Sequence, residues 1–250
     1  MLCLVGLGLW DEKDITVKGL EAAKKASKVY LEEYTSVLKG TTREKIEAMI
    51  GRKVEMLERE DLEQKLGWLD EAKDKDIVLL VGGDPLAATT HADLLMRAWE
   101  RGIETRIIHN ASIFSAIAES GLQLYKFGKT ATVTYWEKNF KPTSFYDVIK
   151  DNSSRGLHTL LLLDIKTSKQ MTPSEALDTL IAIDPAFAER EVVAMSRLGG
   201  ETGISFGKAK QLAKARHGGG LHVLIVPGEL HVMEKAYLER FSKGLNTPYA

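Results

Sequence analysis

The sequence predicts an α/β protein of two domains: an N-terminal parallel five-stranded sheet, then a second α/β domain built on a mixed sheet. Three observations carry this. Short β-rich apolar runs alternate with helical patterns through the first half, and such alternation favours a parallel sheet covered on both faces. The rhythm changes between Asn110 and Ile113, which sets domains at 1–112 and 113–250. A chain of 250 residues, 44% of them hydrophobic, can bury a core in one large or two small domains without disulfides or a structural metal.

The elements follow in order. Leu2 to Leu7 is apolar throughout and reads as a buried strand. Thr16 to Ala26 carries Leu20, Ala23 and Ala26 near helical spacing. Lys28 to Leu31 is the second strand. Thr41 to Ile50 is a helix with a Thr start and Gly51 past its end. Val54 to Leu57 is the third strand and Asp61 to Lys73 the third helix. Ile77 to Val81, apolar without a break, is the fourth strand. Thr90 opens a helix, with Asp93 completing a capping-box pattern and Arg101-Gly102 closing it. Thr105 to Ile108 is the fifth strand.

In the second half Ser112 to Glu119 is helical and Gly121 ends it. Leu122 to Phe127 and Thr130 to Trp136, separated by Gly128-Lys129, read as antiparallel strands. Thr143 to Lys150 is helical. His158 to Ile165 holds Leu160-Leu161-Leu162-Leu163, the pattern of a central strand buried on both faces. Pro173 to Ile183 is a helix with Pro at its start. Val192 to Met195 and His222 to Val226 are strands, and Glu229 to Phe241 is the closing helix.

Composition excludes several classes. With 34 Lys+Arg against 35 Asp+Glu, the net charge of −1 argues against a general nucleic-acid binder, because phosphate binding needs an excess of Lys and Arg. Cys3 stands alone, so no intrachain disulfide framework is expected. The apolar start lacks a basic leader and is followed by Asp11 and Glu12, so no signal peptide is expected. No apolar run approaches the roughly 18 residues of a membrane span. The expectation is a cytoplasmic protein. No His/Cys/Asp cluster has metal-ligand spacing, and neither a nucleophile elbow nor a Walker loop occurs.

Open α/β sheets bind ligands beyond the carboxyl ends of their strands. The segments there are Gly6-Leu7-Gly8-Leu9-Trp10-Asp11, Gly82-Gly83-Asp84-Pro85-Leu86-Ala87, Asn110-Ala111-Ser112-Ile113 and Leu163-Asp164. Gly6-x-Gly8 matches two glycines of a dinucleotide fingerprint, but Asp11 occupies the third position. Asp11, Glu12 and Asp14 would also repel phosphates, which disfavours a nicotinamide-dependent oxidoreductase. Gly82-Gly83 lets backbone approach a ligand closely. Asp84 either faces a cationic ligand or accepts backbone hydrogen bonds in a loop leading to the next helix; the residues alone leave both open. His91 is expected as a cap or surface group in preference to a substrate contact, and His109 as structural. Lys126 and Lys129 either hold an anionic group of a substrate or partner, or are solvated. Glu137-Lys138-Asn139 is expected to form an exposed turn.

The same segments carry a resemblance. Gly6-Leu7-Gly8-Leu9 with Asp11, Asp14-Ile15-Thr16, Tyr34-Thr35-Ser36, Gly83-Asp84-Pro85-Leu86 and Ala88-Thr89-Thr90-His91 closely resemble the diphthine synthase family. So do Ser112-Ile113, Tyr125-Lys126-Phe127-Gly128-Lys129, Pro142-Thr143-Ser144, Tyr146-Asp147-Val148-Ile149, Gly156-Leu157-His158-Thr159-Leu160 and Leu163-Asp164-Ile165-Lys166. The resemblance spans nearly the whole chain. The family belongs to the tetrapyrrole-methylase-like S-adenosylmethionine-dependent methyltransferases, which share two α/β domains with a cofactor cleft between them. Gly8-Leu9-Trp10-Asp11 stands where the wider group has Gly-Pro-Gly-Asp, which matches the diphthine branch and argues against tetrapyrrole substrates.

The resemblance implies methylation of the amino group of a 3-amino-3-carboxypropyl chain on a modified histidine of translation elongation factor 2, with S-adenosyl-L-methionine as donor. It also implies a homodimer. In the archaeal-type pathway repeated transfer gives a trimethylammonium product; eukaryotic-type members add a further methyl to a carboxylate. By position it assigns cofactor contacts to Leu9, Asp84, Ala87, Ser112, Ile113, Leu163, Leu198 and His222. Gly83 joins them as a point of close backbone approach. No residue is assigned as a catalytic base, because methyl transfer from a sulfonium asks chiefly for positioning. The alternatives are a small-molecule, tetrapyrrole-type methyltransferase and a non-catalytic binding protein that keeps an old ligand fold.

Overall fold

The computed structural model describes residues 1–32, 38–166 and 169–242. The motif Tyr34-Thr35-Ser36 lies outside them. The chain divides into two compact units, Met1–Ala116 and Ile117–Ala250; the expected division stood at 112/113.

The first unit holds β1 (Leu2–Gly6), α1 (Val17–Lys25), β2 (Lys28–Glu32), α2 (Arg43–Ile50), β3 (Glu55–Leu57), α3 (Arg59–Glu63), α4 (Gly67–Asp70), β4 (Ile77–Val81), α5 (His91–Glu100), β5 (Thr105–Ile108) and α6 (Ile113–Ala116). Its five strands form one sheet in the order β3-β2-β4-β1-β5, and every pairing is parallel. Successive side chains point to opposite faces of a strand, so β1 and β4 supply two cores at once. Leu2, Leu4, Ile77, Leu79 and Val81 pack with Trp68, Leu69, Leu94, Leu95 and Ala98 on one face. Cys3, Val5, Val78 and Leu80 pack with Ala23, Ile46 and Ile50 on the other. Burial on both sides is why these strands read as unbroken apolar runs.

Caps set the helix starts. The Thr16 side chain accepts from the Gly19 N–H to open α1. The Thr42 side chain accepts from the Lys45 N–H to open α2, and Gly51 in the left-handed region closes it. Two expectations fail here. The capping box of Thr90 with Asp93 does not form, because Thr90 makes no side-chain cap bond. The helix expected over Asp61 to Lys73 is broken into α3, α4 and a 3-10 turn at Glu71–Lys73. Its apolar residues Leu62, Trp68, Leu69 and Ala72 bury together without continuous helical phase.

The second unit holds β6 (Ala131–Val133), α7 (Ser144–Ser154), β7 (Thr159–Leu163), the short hairpin β8 (Ile165–Lys166) and β9 (Lys169–Gln170), α8 (Pro173–Ile183), β10 (Glu191–Ser196), β11 (Gly203–Lys208), α9 (Ala209–Leu212), β12 (His222–Val226) and α10 (Val232–Glu239). Its sheet runs β11-β10-β12-β7-β6, antiparallel except that β6 pairs β7 in parallel. The sheet is therefore mixed, as expected. Phe145, Ile149, Leu177, Leu180 and Leu212 cover the face that carries Leu161, Leu163, Val192, Ala194 and Leu224.

The expected antiparallel pair over Leu122 to Phe127 and Thr130 to Trp136 is not there. The first run is a 3-10 turn at Leu124–Lys126, and Phe127 makes only a single parallel bridge to His158. Within the second run only β6 is strand. Gly128 explains the difference: its N–H donates to the His158 carbonyl and the His158 N–H to the Lys126 carbonyl, so this stretch lies along the start of β7 and not against a hairpin partner.

Glu234 anchors α10. Its buried carboxylate accepts from the Gln123 and His231 N–H groups, from Lys126 Nζ at 2.6 Å and from His158 Nε2 at 3.1 Å. The Gly228 N–H donates to His158 Nδ1, which fixes the proton on Nε2. Lys126, expected to be solvated or to meet a ligand, is instead committed to Glu234 and the Glu229 carbonyl.

Candidate functional site

The carboxyl ends of β4, β1 and β5 lie side by side, and the chain leaves each in a polar loop. The loop after β1 curls around one carboxylate. Asp14 Oδ2 accepts from the N–H groups of Trp10 at 2.7 Å, Leu9 at 3.2 Å and Asp11 at 3.4 Å. Asp11 in turn caps the 3-10 turn Glu12–Asp14. Asp11 and Asp14 are thus the scaffold of the turn. Gly8 sits at φ +86°, and a Cβ there would stand 2.5 Å from the Asp14 Cβ, so only glycine allows the curl.

Gly8 and Gly83 then pair with each other: the Gly83 N–H donates to Gly8 O at 2.7 Å, and the Gly8 N–H to Gly83 O at 3.2 Å. The loops after β1 and β4 are stitched by this bridge. Gly83 adopts φ +74°, and the atoms nearest to a Cβ placed on it, from Ser112 and Ala111, are 3.9–4.0 Å away. The backbone of Gly83 therefore faces Ser112 with no side chain of its own between them.

Asp84 completes the stitching. Its Oδ2 accepts from His109 Nδ1 at 2.8 Å and the Asn110 N–H at 3.1 Å, and its Oδ1 from the Leu86 N–H at 3.0 Å. Burial pushes this carboxyl up, but the bonds from Leu86, His109 and Asn110 outweigh it and hold the group below its ordinary range. A carboxylate has about four lone-pair sites. Three donors leave one for a cationic ligand, so accepting backbone hydrogen bonds and facing a cation are compatible. Because a carboxylate only accepts, His109 carries its proton on Nδ1 and presents Nε2 outward on a largely exposed ring.

Asn110 ties the third loop in. Its Nδ2 donates to Gly6 O and to Asp14 O, both at 2.9 Å, and its Oδ1 accepts from the Ala111 N–H. Ser112, buried, begins the turn into α6: its carbonyl accepts from the N–H groups of Ser115 and Ala116. Leu9, Gly83, Asp84, Ala87, Ser112 and Ile113 thus come from three adjoining strand ends of one sheet.

The other three candidates lie in the second unit. Leu163 ends β7 and His222 begins β12; these strands are antiparallel neighbours, so both residues stand at one end of that sheet. Leu198 lies in the loop after β10, whose last residue, Ser196, pairs with His222. Burial pushes the His222 imidazole below its ordinary range, against the pull of the His217 carbonyl near Nε2.

The sequence shows three further participants without showing their roles. Asp14 reads as repelling phosphates, Asn110 only as a strand-end loop residue, and His91 as a cap or surface group in preference to a substrate contact. The first had a legible signal, the Asp11-x-x-Asp14 capping pattern. Asn110 acts on Gly6 and Asp14 far away in the chain, which no local pattern encodes. His91 is 2% exposed, so it is not the surface group expected, although it does begin α5; its Nδ1 lies 2.9 Å from the Pro85 carbonyl, which turns the ring inward.

The site residues fit a sulfonium-bearing nucleoside. Gly83 offers a backbone face free of side chain, Asp84 a carboxylate for a cationic group, and Leu9 and Ile113 apolar surface. Among the described residues no group of three His, Cys, Asp or Glu side chains is placed to hold a metal ion, and no helix is long and apolar enough to cross a membrane.

Comparison with known proteins gives the class. Residues 1–213 match the family described as Tetrapyrrole (Corrin/Porphyrin) Methylases. The diphthine synthase of Methanococcus maripaludis is 47% identical over 249 residues, covering 96% of this chain and 98% of that protein. That of Methanocaldococcus jannaschii is 46% identical over 252 residues, with the same coverage. A crystal structure of diphthine synthase superposes with a TM-score of 0.91 at 43% identity, covering 97% of this chain and 96% of that one. The chain belongs to the tetrapyrrole methylases and, within them, to the diphthine synthase family.

Proposed function

We propose that this chain is an S-adenosylmethionine-dependent N-methyltransferase of diphthamide biosynthesis. It methylates the amino group of the 3-amino-3-carboxypropyl chain carried by a modified histidine of translation elongation factor 2. The full-length likeness to diphthine synthases carries this reading, and the strand-end loops of the first unit agree with it chemically.

S-adenosylmethionine, when bound, supplies a methyl group on a cationic sulfur. The chain's own residues then have two tasks. Gly83, Asp84, Ala87, Ser112 and Ile113, with Leu9, hold the donor; Leu163, Leu198 and His222 belong to the same proposed set. The fourth lone-pair site of Asp84 suits the donor's ammonium group. The acceptor amine must be neutral when it attacks, and an α-amine titrates near 7.7–8.0. Partial exclusion of water is enough to bring that value to neutrality, and the released proton passes to solvent. No side chain is required as a strong base. A homodimer, implied by the family resemblance, is part of the same proposal.

The test is transfer of label from methyl-labelled S-adenosylmethionine to elongation factor 2. Label on protein bearing the aminocarboxypropyl histidine, and none on unmodified protein, is the expected result. Label on a porphyrin precursor and none on the factor would overturn it.

A further inference from the structure

His91 opens α5 and is buried, although it follows a loop on the surface. Its Nδ1 lies 2.9 Å from the Pro85 carbonyl and 3.0 Å from Thr89 Oγ1. A carbonyl only accepts, so Nδ1 carries a proton and donates it to Pro85. Behind the ring, Nε2 makes no hydrogen bond and lies 3.8 Å from Oε1 of Glu32, which ends β2 and is 0% exposed. The imidazole thus lies between a loop carbonyl, to which Nδ1–H donates, and a buried carboxylate, which Nε2 faces without a hydrogen bond.

The loop it holds resists its own course. Ala88 sits at φ 56°, the left-handed region that costs a residue with a Cβ about 1–2 kcal/mol. Such a conformation persists only where its surroundings impose it. Asp84 fastens the front of this loop to His109 and Asn110; His91 is the fastening at its back. Between the two lie Pro85, Leu86 and Ala87.

We propose that His91 is a positioning residue for methyl transfer: its Nδ1–H on the Pro85 carbonyl fixes the 83–88 loop in the shape that presents Asp84 and Ala87 to the methyl donor. This rests on the loop being the donor's site.

Two variants of the full chain separate the roles of the ring nitrogens. In His91→Asn the amide nitrogen falls near the Nδ1 position and keeps the bond to Pro85. In His91→Gln the amide reaches toward Nε2 and the bond is lost. The readouts are hydrogen–deuterium exchange over 82–90 without ligand, and the Kd for S-adenosylhomocysteine with KM and kcat for methyl transfer. His91→Gln is expected to exchange faster over 82–90 and to raise Kd and KM about tenfold, the equivalent of one hydrogen bond's worth of positioning, with kcat at saturating donor within about threefold. His91→Asn is expected to stay within about twofold of wild type. Unchanged exchange and KM in His91→Gln, or an equal loss in both variants, overturns the positioning role while leaving the donor site intact. Wild type that binds no S-adenosylhomocysteine overturns the donor site itself, and the proposal with it. Should His91→Gln not fold, His91→Ala, which also loses the Pro85 bond, takes its place beside His91→Asn: faster exchange and a raised KM in His91→Ala alone uphold the role, and wild-type values in it, or an equal loss in both, overturn it.

Discussion

Asp84→Asn is nearly isosteric, so it isolates the charge and the acceptor count at the centre of the site. The carboxylate meets three donors: His109 Nδ1–H, the Asn110 N–H and the Leu86 N–H. An amide has one acceptor oxygen, and its NH₂ must then face at least one of those donors. A donor left without its acceptor in a part-buried place costs about 1–3 kcal/mol, and hydrogen bonds to a charged acceptor are themselves worth about 1.5–3 kcal/mol. The expected loss is about 2 kcal/mol in unfolding free energy at pH 7, with the Kd for S-adenosylhomocysteine rising about tenfold or more. Urea denaturation and isothermal titration calorimetry read the two quantities. The pH dependence has a definite sign. The folded-state carboxyl lies below its ordinary range, so its stabilisation is present above the unfolded value and is lost as pH falls through the folded one. The gap between wild type and Asp84→Asn should therefore be level through neutral pH and close only in acid. An unchanged urea midpoint together with an unchanged Kd would refute the view that these three bonds shape the site.

Other expectations concern residues around that centre and in the second unit. Glu234→Gln removes a buried carboxylate which its donors, working against burial, hold down from 4.5 to about 2; by linkage this should cost about 3 kcal/mol at pH 7. That stabilisation is present above the unfolded value and fades as pH falls toward 2, so a gap that stayed constant between pH 7 and pH 2.5 in urea titrations would contradict it. Gly8→Ala sets a Cβ against Asp14 at positive φ and should weaken both stability and donor affinity; a variant that denatures and binds like wild type would show that the curl tolerates a side chain. Asn110→Ala strips the donors from Gly6 O and Asp14 O and should raise the Kd for S-adenosylhomocysteine several-fold, the effect of about 1 kcal/mol, as calorimetry can check.

The first unit was legible because its central strands are buried on both faces. Ile77 to Val81 contains nothing but aliphatic side chains, and that pattern survives without knowledge of its neighbours. The second unit was less so. Gly203-Ile204-Ser205-Phe206-Gly207-Lys208 forms an edge strand, β11, whose glycines and serine hide it. Leu122 to Phe127 has strand-like composition, but its backbone is captured by His158 and Glu234 from elsewhere in the chain. The site divides in the same way. Gly8, Gly83 and Asp84 stand out because glycine and aspartate at a strand end are locally conspicuous. Asn110 and His91 are not, since their work is a contact with Gly6 or Pro85 that exists only once the sheet has formed.

The most direct measurement is a crystal structure with S-adenosylhomocysteine bound. The ligand should lie against the backbone of Gly83, with Asp84 near its ammonium group and Ala87, Ser112 and Ile113 in contact. Ligand seated elsewhere with these loops bare, or a nicotinamide dinucleotide lying along Gly6 to Asp11 in its place, would contradict the account.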